Sequence, residues 1–213
     1  MSKTKVHTVY KTKEGQRVAG VTTILGILAK PALIHWAWNL GLKGEDYRKV
    51  RDTAGSIGTI AHYLVECDLR GIEPDLGDYS KNDIEKATTA FGAFLDFKKA
   101  HNLKPIELEL ALVSEKYKYG GSIDCYCELD GKLTLLDFKT SKGVYPGMRC
   151  QVAAYKNLMK EHGYKVEQVD LLRIDKVSGE FHHHKLDNLA IEWKFFKGLV
   201  QIYPLKKVIW DKK

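Results

Sequence analysis

The chain has 213 residues, of which 44% are hydrophobic and 29% are charged, and this composition excludes a mostly disordered or fibrous protein. Its 34 lysines and arginines outnumber its 27 aspartates and glutamates, so the net charge of +7 favours a polyanionic partner, although a solvated basic surface gives the same balance. No apolar run approaches the roughly 18 residues that cross a bilayer, and the N-terminus lacks the apolar segment of a secretory signal. We therefore expect a cytoplasmic protein without membrane association, forming a single domain over residues 1–213.

The first hundred residues are predicted to be mainly helical. Residues 31–42 begin with proline and continue with apolar residues at helical spacing, as in a helix with proline in its first turn. A second helix is predicted over 56–70, where Gly71 ends it. A third is predicted over 80–101, where Ser80 is a suitable N-cap.

A sheet core is predicted over residues 105–186. The expected strands are 106–113, 121–129, 132–139, 165–175 and 180–186, with a helix at 148–162 and a turn at 176–179. The dipeptide Asp130-Gly131 is a strong hairpin signal between the second and third strands. A last helix over 188–201 and a basic tail complete residues 187–213. This order predicts an α+β fold of three layers, with helices flanking a central mixed sheet.

The predicted hairpin sets two acidic residues opposite each other. If Asp130 and Gly131 are the central turn residues, Asp124 faces Asp137, and directly paired side chains have Cβ atoms about 5 Å apart. Two buried carboxylates at that distance need a shared proton or a cation. Lys139 lies on the same face as Asp137, and a structural salt bridge between them is one interpretation. The other is a divalent metal, since carboxylate oxygens suit Mg²⁺ or Mn²⁺.

Strand alternation predicts which residues share the face of these acids. Ser122, Asp124 and Tyr126 are expected on one face of the sheet. Ile123 and Cys125 are expected together on the opposite face, among core residues.

Four motifs occur in order along the chain. They are Gly58-Thr59-Ile60-Ala61-His62-Tyr63-Leu64-Val65-Glu66, Gly120-Gly121-Ser122-Ile123-Asp124, Leu135-Leu136-Asp137-Phe138-Lys139 and Gln151-Val152-Ala153-Ala154-Tyr155. Over residues 20–160 the chain thereby resembles the RecB-like branch of the PD-(D/E)XK nuclease superfamily, which includes phage-type exonucleases. That branch reads G-x-x-x-H-x-x-x-E, G-G-x-x-D, apolar-D-x-K and Q-x-x-x-Y. One departure from the superfamily name is that no proline precedes the acid of the D-x-K motif.

The resemblance implies a restriction-endonuclease-like core with an N-terminal helical elaboration. It implies a metal-dependent DNA nuclease, foremost an exonuclease acting in recombination, replication or end processing, and phage-encoded in many small members. The implied substrate is DNA, as single strands or duplex ends, and the implied cofactor is one or two Mg²⁺ or Mn²⁺ ions. A recombination or replication protein is the implied partner, and a bacterial or phage-infected cell the place of action. No oligomeric state follows from it.

The resemblance also assigns metal ligands and a catalytic lysine. Asp124, Asp137 and the backbone carbonyl of Phe138 would hold the metal, with His62 as an additional ligand. Lys139 would orient or help deprotonate the attacking water. A histidine packed in a core or a salt bridge is the alternative interpretation of His62.

Further site residues follow from the other motifs. Glu109 is the expected acid on the strand before Asp124, and Glu107, on the same face, competes for that role. Gln151 and Tyr155, one helical turn apart, would border the site and contact the lysine or the DNA. Glu66 would orient His62 or reach a metal-bound water, or else is an ordinary acid on a helix face.

Two other functions fit the same residues. One is a nuclease-fold module that binds DNA without cleaving it, although such a module has no need of a like-charged aspartate pair. The other is a metal hydrolase that acts on a small phosphorylated molecule. Strong salt dependence of nucleic-acid binding would argue against this hydrolase.

Overall fold

The structure is a computed structural model that describes residues 8–175 and 178–210. The strands within these residues are β1 Tyr10–Lys11, β2 Arg17–Gly20, β3 Leu103–Ser114, β4 Tyr119–Leu129, β5 Lys132–Lys139, β6 Gln168–Ile174 and β7 Phe181–Lys185. The helices are α1 Val21–Leu25, α2 Pro31–Leu42, α3 Tyr47–Arg70, α4 Lys81–Ala100, α5 Pro146–Glu161 and α6 Ala190–Trp210. None of these helices is long and apolar enough to cross a membrane.

The strands form one mixed sheet in the order β1-β2-β4-β5-β6-β7, with β3 paired to β4. The β3–β4, β4–β5 and β6–β7 pairs are antiparallel, whereas β2–β4 and β5–β6 are parallel. The parallel β5–β6 pair is joined by a crossover that contains α5, as a parallel connection requires.

Helices cover both faces of this sheet and bury a core on each. One core packs α5 and α6 against strand residues such as Tyr119, Leu135 and Leu171. The other packs α3 and α4 against residues such as Leu136 and Leu172. Neighbouring residues of one strand thus point to opposite cores, as the pleat requires. The architecture is the expected three-layer α+β fold with a restriction-endonuclease-like core.

The hairpin between β4 and β5 has the predicted register. Asp130 and Gly131 have φ values of 51° and 81°, as the two central residues of a tight hairpin turn do. Leu129 pairs with Lys132, and the regular pairing continues for five residue pairs, as far as Cys125 and Leu136. The next pair in this register would be Asp124 with Asp137, so the turn brings these two residues side by side.

The predicted alternation along β4 is wrong next to Asp124. Ile123 belongs to the core beneath α5, together with Tyr126, whereas Cys125 belongs to the core beneath α3 and α4. The physical reason is an interruption in the β3–β4 pairing, which skips Asp124 and the residue opposite it, Glu109. Glu109 has a left-handed backbone, with φ of 53°. Side chains on the two sides of this interruption therefore do not alternate regularly.

Several element boundaries also differ from the prediction. The helix expected from residue 56 begins at Tyr47, because Asp46 caps it by accepting a hydrogen bond from the Arg48 amide. Strands β1 and β2 were not predicted, and α6 extends to Trp210 through an internal Pro204. Part of the predicted turn at 176–179 and the end of the basic tail lie outside the described residues.

Candidate metal centre and active site

Three metal-binding side chains from three different elements meet at the interruption in the β3–β4 pairing. His62 of α3, Glu109 of β3 and Asp124 of β4 each offer a ligand atom, and these atoms lie within 4.8 Å of one another. His62 Nδ1 is 3.5 Å from Asp124 Oδ2. All three are partly buried, so a cation placed among them would be shielded from bulk solvent. Of the two competing acids, Glu109 lies in this cluster, and Glu107 is exposed.

The hairpin explains the position of Asp124. The backbone amide of Phe138 donates a hydrogen bond to Asp124 Oδ2 at 3.0 Å. The regular β4–β5 pairing stops at Cys125 and Leu136. The bond to Asp124 therefore takes the place of the next backbone pair of this ladder. The Asp124 carboxylate is therefore anchored beside the D-x-K segment and also approaches His62.

Asp137 is a wholly buried acid whose two carboxylate oxygens have different surroundings. Within residues 8–175 and 178–210, Oδ1 has no hydrogen-bond partner, and Oδ2 contacts the Lys139 ammonium. Burial raises the pKa of Asp137 to about 7; the nearby positive charge of Lys139 opposes this rise, and the negative charges of Asp124 and Glu109 add to it. A buried carboxylate in this condition needs a proton or a cation.

Lys139 contacts both of the residues that precede it in the D-x-K motif. Its ammonium contacts the Asp137 carboxylate and lies 3.4 Å from the carbonyl oxygen of Phe138. The ion pair required by the salt-bridge interpretation is thus present. That pair leaves Oδ1 of Asp137 without a donor among the described residues, so it does not complete the site.

Gln151 and Tyr155 lie on the same side of α5 and are hydrogen-bonded to each other. The Gln151 side-chain amide donates to the Tyr155 hydroxyl oxygen at 2.8 Å. Burial, reinforced by the negative charges of Asp137 and Asp124, holds the pKa of Tyr155 well above its usual value. Tyr155 therefore stays protonated near the two acids. A Cβ at Gly121 would lie 2.6 Å from the Tyr155 ring, so the glycine allows this approach.

The glycine of the G-x-x-x-H motif brings α3 to the end of β5. Gly58 lies inside α3, and a Cβ there would be 2.9 Å from the hydroxyl oxygen of Thr140. Thr140 directly follows Lys139. The close approach therefore sets His62, one turn further along α3, beside Asp124.

Glu66 contacts Arg70, a residue outside the four sequence motifs. Arg70 Nε donates to Glu66 Oε1 at 2.9 Å, and Arg70 Nη2 donates to the carbonyl oxygen of Leu108 at 3.1 Å. Glu66 also lines the same pocket as His62, Glu109 and Asp124. The spacing of four residues predicts an ion pair between Glu66 and Arg70. No sequence signal indicates the contact with Leu108.

Tyr10 of β1 is a second residue beside the site that the sequence did not reveal. Its hydroxyl lies 3.1 Å from the Ser122 hydroxyl, and a Cβ at Gly120 would be 2.2 Å from its ring. The double glycine of the G-G-x-x-D motif thus accommodates two aromatic rings, Tyr10 at Gly120 and Tyr155 at Gly121. Two adjacent glycines signal a close approach, but not which residues make it.

The donor set fits a hard divalent cation. Carboxylate oxygens suit Mg²⁺ and Mn²⁺, and an imidazole ligand favours Mn²⁺ of the two. The buried Oδ1 of Asp137, which has no hydrogen-bond partner among the described residues, is an observation of this structure that independently calls for positive charge. His62, Glu109 and Asp124 are thus suited to holding such an ion, whereas Asp137, expected beside them, does not belong to this group of ligand atoms within 4.8 Å of one another among the described residues.

Comparison with known proteins gives similar structures but no family. No family model and no curated protein matches the chain. The solved structure of SSO0001 is similar with 18% identity and a TM-score of 0.40, over 72% of this chain and 74% of that one. LHK-Exo in complex with dAMP is similar with 12% identity and a TM-score of 0.42, over 72% of this chain and 84% of that one. Similarity at this level does not establish an activity.

Proposed function

We propose that the protein is a metal-dependent deoxyribonuclease of the PD-(D/E)XK type. The observation that carries the proposal is the state of Asp137, a buried carboxylate whose Oδ2 contacts the Lys139 ammonium and whose Oδ1 has no hydrogen-bond donor among the described residues. It lies close enough to Asp124 and Glu109 for their charges to raise its pKa. Leaving a buried carboxylate oxygen unsatisfied is costly, and a bound cation would remove that cost.

Each acidic group has a role in holding the ion. Asp124 and Glu109 would supply carboxylate oxygens and His62 an imidazole nitrogen, and Asp137 and the backbone carbonyl of Phe138 would be the further ligands that the sequence motifs imply. A divalent ion bound there polarises a phosphate oxygen and lowers the pKa of a water molecule. The Phe138 amide keeps Asp124 in place for this purpose through the bond to Oδ2.

The remaining groups act on the substrate and the water. The Lys139 ammonium, held at the Asp137 carboxylate, orients the attacking water and offsets negative charge on the phosphate. Tyr155 stays neutral, and its hydroxyl accepts a hydrogen bond from the Gln151 amide, so its own proton is available for donation near the acids. Gln151 thereby orients Tyr155 at the border of the site.

The substrate we propose is DNA, and the mode of action is exonucleolytic. A net charge of +7 favours binding of a polyanion by release of its counterions. We propose action on single strands or duplex ends during recombination, replication or end processing, together with a recombination or replication protein. This assignment rests on the order and spacing of the four sequence motifs.

A cleavage assay tests the proposal. End-labelled linear single-stranded and duplex DNA and a circular duplex are incubated with Mg²⁺, Mn²⁺ or EDTA. We expect metal-dependent release of mononucleotides from linear DNA only, and a loss of at least about 10²-fold in Asp137→Asn and Lys139→Met. Lys165→Met, which removes a surface lysine paired with Glu167, is the matched control and keeps full activity.

Each other result has a defined meaning. Cleavage that persists in both site variants overturns the proposed mechanism. Salt-dependent DNA binding without any cleavage identifies a non-cleaving module instead. Hydrolysis of small phosphate esters but not of DNA identifies a small-molecule hydrolase. Cleavage of the circular substrate replaces the exonuclease assignment by an endonuclease.

A further inference from the structure

The backbone of β3 is held in an unusual conformation at the metal centre. Glu109 has a φ of 53°, in the left-handed region that residues other than glycine rarely adopt. The pairs on either side of it, Leu108 with Cys125 and Leu110 with Ile123, are regular ladder partners. A backbone of this kind persists only where its surroundings enforce it. Neighbouring groups must therefore hold the left-handed backbone at Glu109.

Arg70 contacts the peptide group that leads into Glu109. Its Nη2 donates to the carbonyl oxygen of Leu108 at 3.1 Å, and its Nε donates to Glu66 Oε1 at 2.9 Å. The Leu108 carbonyl belongs to the same planar peptide as the Glu109 amide nitrogen. A donor that fixes the direction of this carbonyl therefore also fixes the orientation of the peptide from which Glu109 projects.

The same contact connects the two elements that carry separate metal-binding groups. His62, Glu66 and Arg70 follow one another at intervals of four residues, so they lie along one side of α3. Arg70 links the end of this helix to β3. The helix position of His62 and the strand position of Glu109 are thereby tied together within the 4.8 Å cluster.

We propose that Arg70 is a positioning residue of the metal centre, which holds the Leu108–Glu109 peptide so that the Glu109 carboxylate faces His62 and Asp124. Glu66 acts through Arg70 by fixing its guanidinium. This inference rests on the proposed function, since it concerns groups that would hold the metal. The planar guanidinium bonds both partners at once, which a lysine ammonium does less well.

The test measures metal affinity without DNA. Mn²⁺ is titrated calorimetrically into metal-free wild type, Arg70→Met, Arg70→Lys and Glu66→Gln. Groups that orient metal ligands typically change affinity by about 10–100-fold. We expect a loss of about that size in Arg70→Met, a smaller loss in Arg70→Lys and Glu66→Gln, and parallel losses in kcat with unchanged DNA affinity in Ca²⁺.

Lys98→Met is the matched control. Lys98 Nζ binds Asp68 Oδ2 at 2.7 Å, so it also ties α3 to a neighbouring element, α4, by an ion pair. Removing it tests whether any loosening of α3 weakens Mn²⁺ binding. We expect wild-type affinity in this variant. A loss equal to that of Arg70→Met overturns the proposal.

Amide hydrogen exchange of the metal-free protein gives an independent measure. Arg70→Met is expected to speed exchange at residues 108–110 selectively, with the exchange of α3 and α4 unchanged. Wild-type Mn²⁺ affinity in a folded Arg70→Met protein overturns the inference. If that variant does not fold, wild-type affinity and exchange in both Arg70→Lys and Glu66→Gln overturn it. Failure of the wild type to bind Mn²⁺ contradicts the proposed function, and the exchange at 108–110 still tests the role of Arg70.

Discussion

The backbone amide of Phe138 donates a hydrogen bond to the carboxylate of Asp124 across the β4–β5 hairpin, at 3.0 Å. One strand thus supplies the acid, and the other holds it through a peptide group inside the D-x-K motif. Asp137, the residue just before Phe138, is thereby kept beside Asp124, and the negative charge of Asp124 contributes to the raised pKa of Asp137. The site depends on this proximity of two acids.

Replacing Asp137 by asparagine is expected to leave the metal-free protein as stable as the wild type or more stable at pH 8. The pKa of Asp137 lies at about 7 in the folded chain, above its ordinary value of 3.8, so folding disfavours the charged form. The contribution of the Asp137 carboxyl group to the stability of the metal-free wild type is therefore fully present below pH 3.8 and is lost as the pH rises to about 7. Asparagine has no carboxyl group to ionise, so the variant does not lose this part of the unfolding free energy as the pH rises.

Urea unfolding in EDTA at pH 5 and pH 8 measures this difference. Asp137→Asn should show a smaller change in unfolding free energy between the two pH values than the wild type does. A variant that is strongly destabilised at pH 8 would instead show that the contact between Lys139 and Asp137 is a structural salt bridge.

Metal binding is expected to release more protons at pH 6 than at pH 8. Below a pKa of about 7 the folded metal-free protein holds a proton on Asp137, and a bound cation must displace it. Mn²⁺ affinity therefore falls as the pH is lowered through 7. Calorimetry in buffers of different ionisation enthalpy counts the protons released.

A histidine ligand that carries a proton at pH 6 also releases it when a metal binds, and His62 is the histidine of this cluster. The control is therefore His62→Asn, which keeps Asp137 and its neighbouring charges. Extra proton release at pH 6 that survives in this variant belongs to the carboxyl group. Equal proton release at pH 6 and pH 8 in the wild type contradicts the assignment of Asp137 as a ligand.

The sequence predicts those parts of the fold that are determined locally. The Asp130-Gly131 turn sets the hairpin register, because both residues tolerate the positive φ that this turn needs. The helix Pro31–Leu42 has the predicted bounds, since proline marks its first turn. The four motifs, in turn, indicate the residues that the fold brings close together.

The parts that the sequence does not predict depend on contacts distant in the chain. The left-handed backbone at Glu109 is invisible in a strand-like alternation, since glutamate carries no signal for it. The bond from Arg70 to the Leu108 carbonyl spans 38 residues. Tyr10 reaches Ser122 only because β2, a four-residue strand, pairs with β4. Local patterns contain none of this information.

Adding a methyl group at Gly121 is expected to displace Tyr155 and reduce activity. A Cβ there would lie 2.6 Å from the ring and 3.2 Å from Leu158 Cδ1, both of which are buried. Overpacking of this kind costs about 1–3 kcal/mol of stability. Gly121→Ala should therefore unfold at lower urea concentration and show lower kcat, because the pair formed by Gln151 and Tyr155 is shifted.

The matched control for this change is Gly92→Ala. Gly92 lies inside α4, and a Cβ there meets nothing within 4 Å. Alanine is favoured over glycine in a helix interior by roughly 0.5–1 kcal/mol, so this variant should be slightly more stable and fully active. If Gly121→Ala behaves like Gly92→Ala, the proposed need for a glycine beside Tyr155 is wrong.

Two substitutions at Glu109 separate its backbone from its carboxylate. Glycine adopts a φ of 53° without strain, whereas alanine retains the strain that glutamate bears. Both remove the carboxylate from the cluster with His62 and Asp124, so both should weaken Mn²⁺ binding and cleavage to a similar extent. Glu109→Gly should nevertheless be more stable than Glu109→Ala, by about 1 kcal/mol in urea unfolding. If alanine proves the more stable of the two, the backbone at residue 109 is not strained, and the role assigned to Arg70 loses its physical basis.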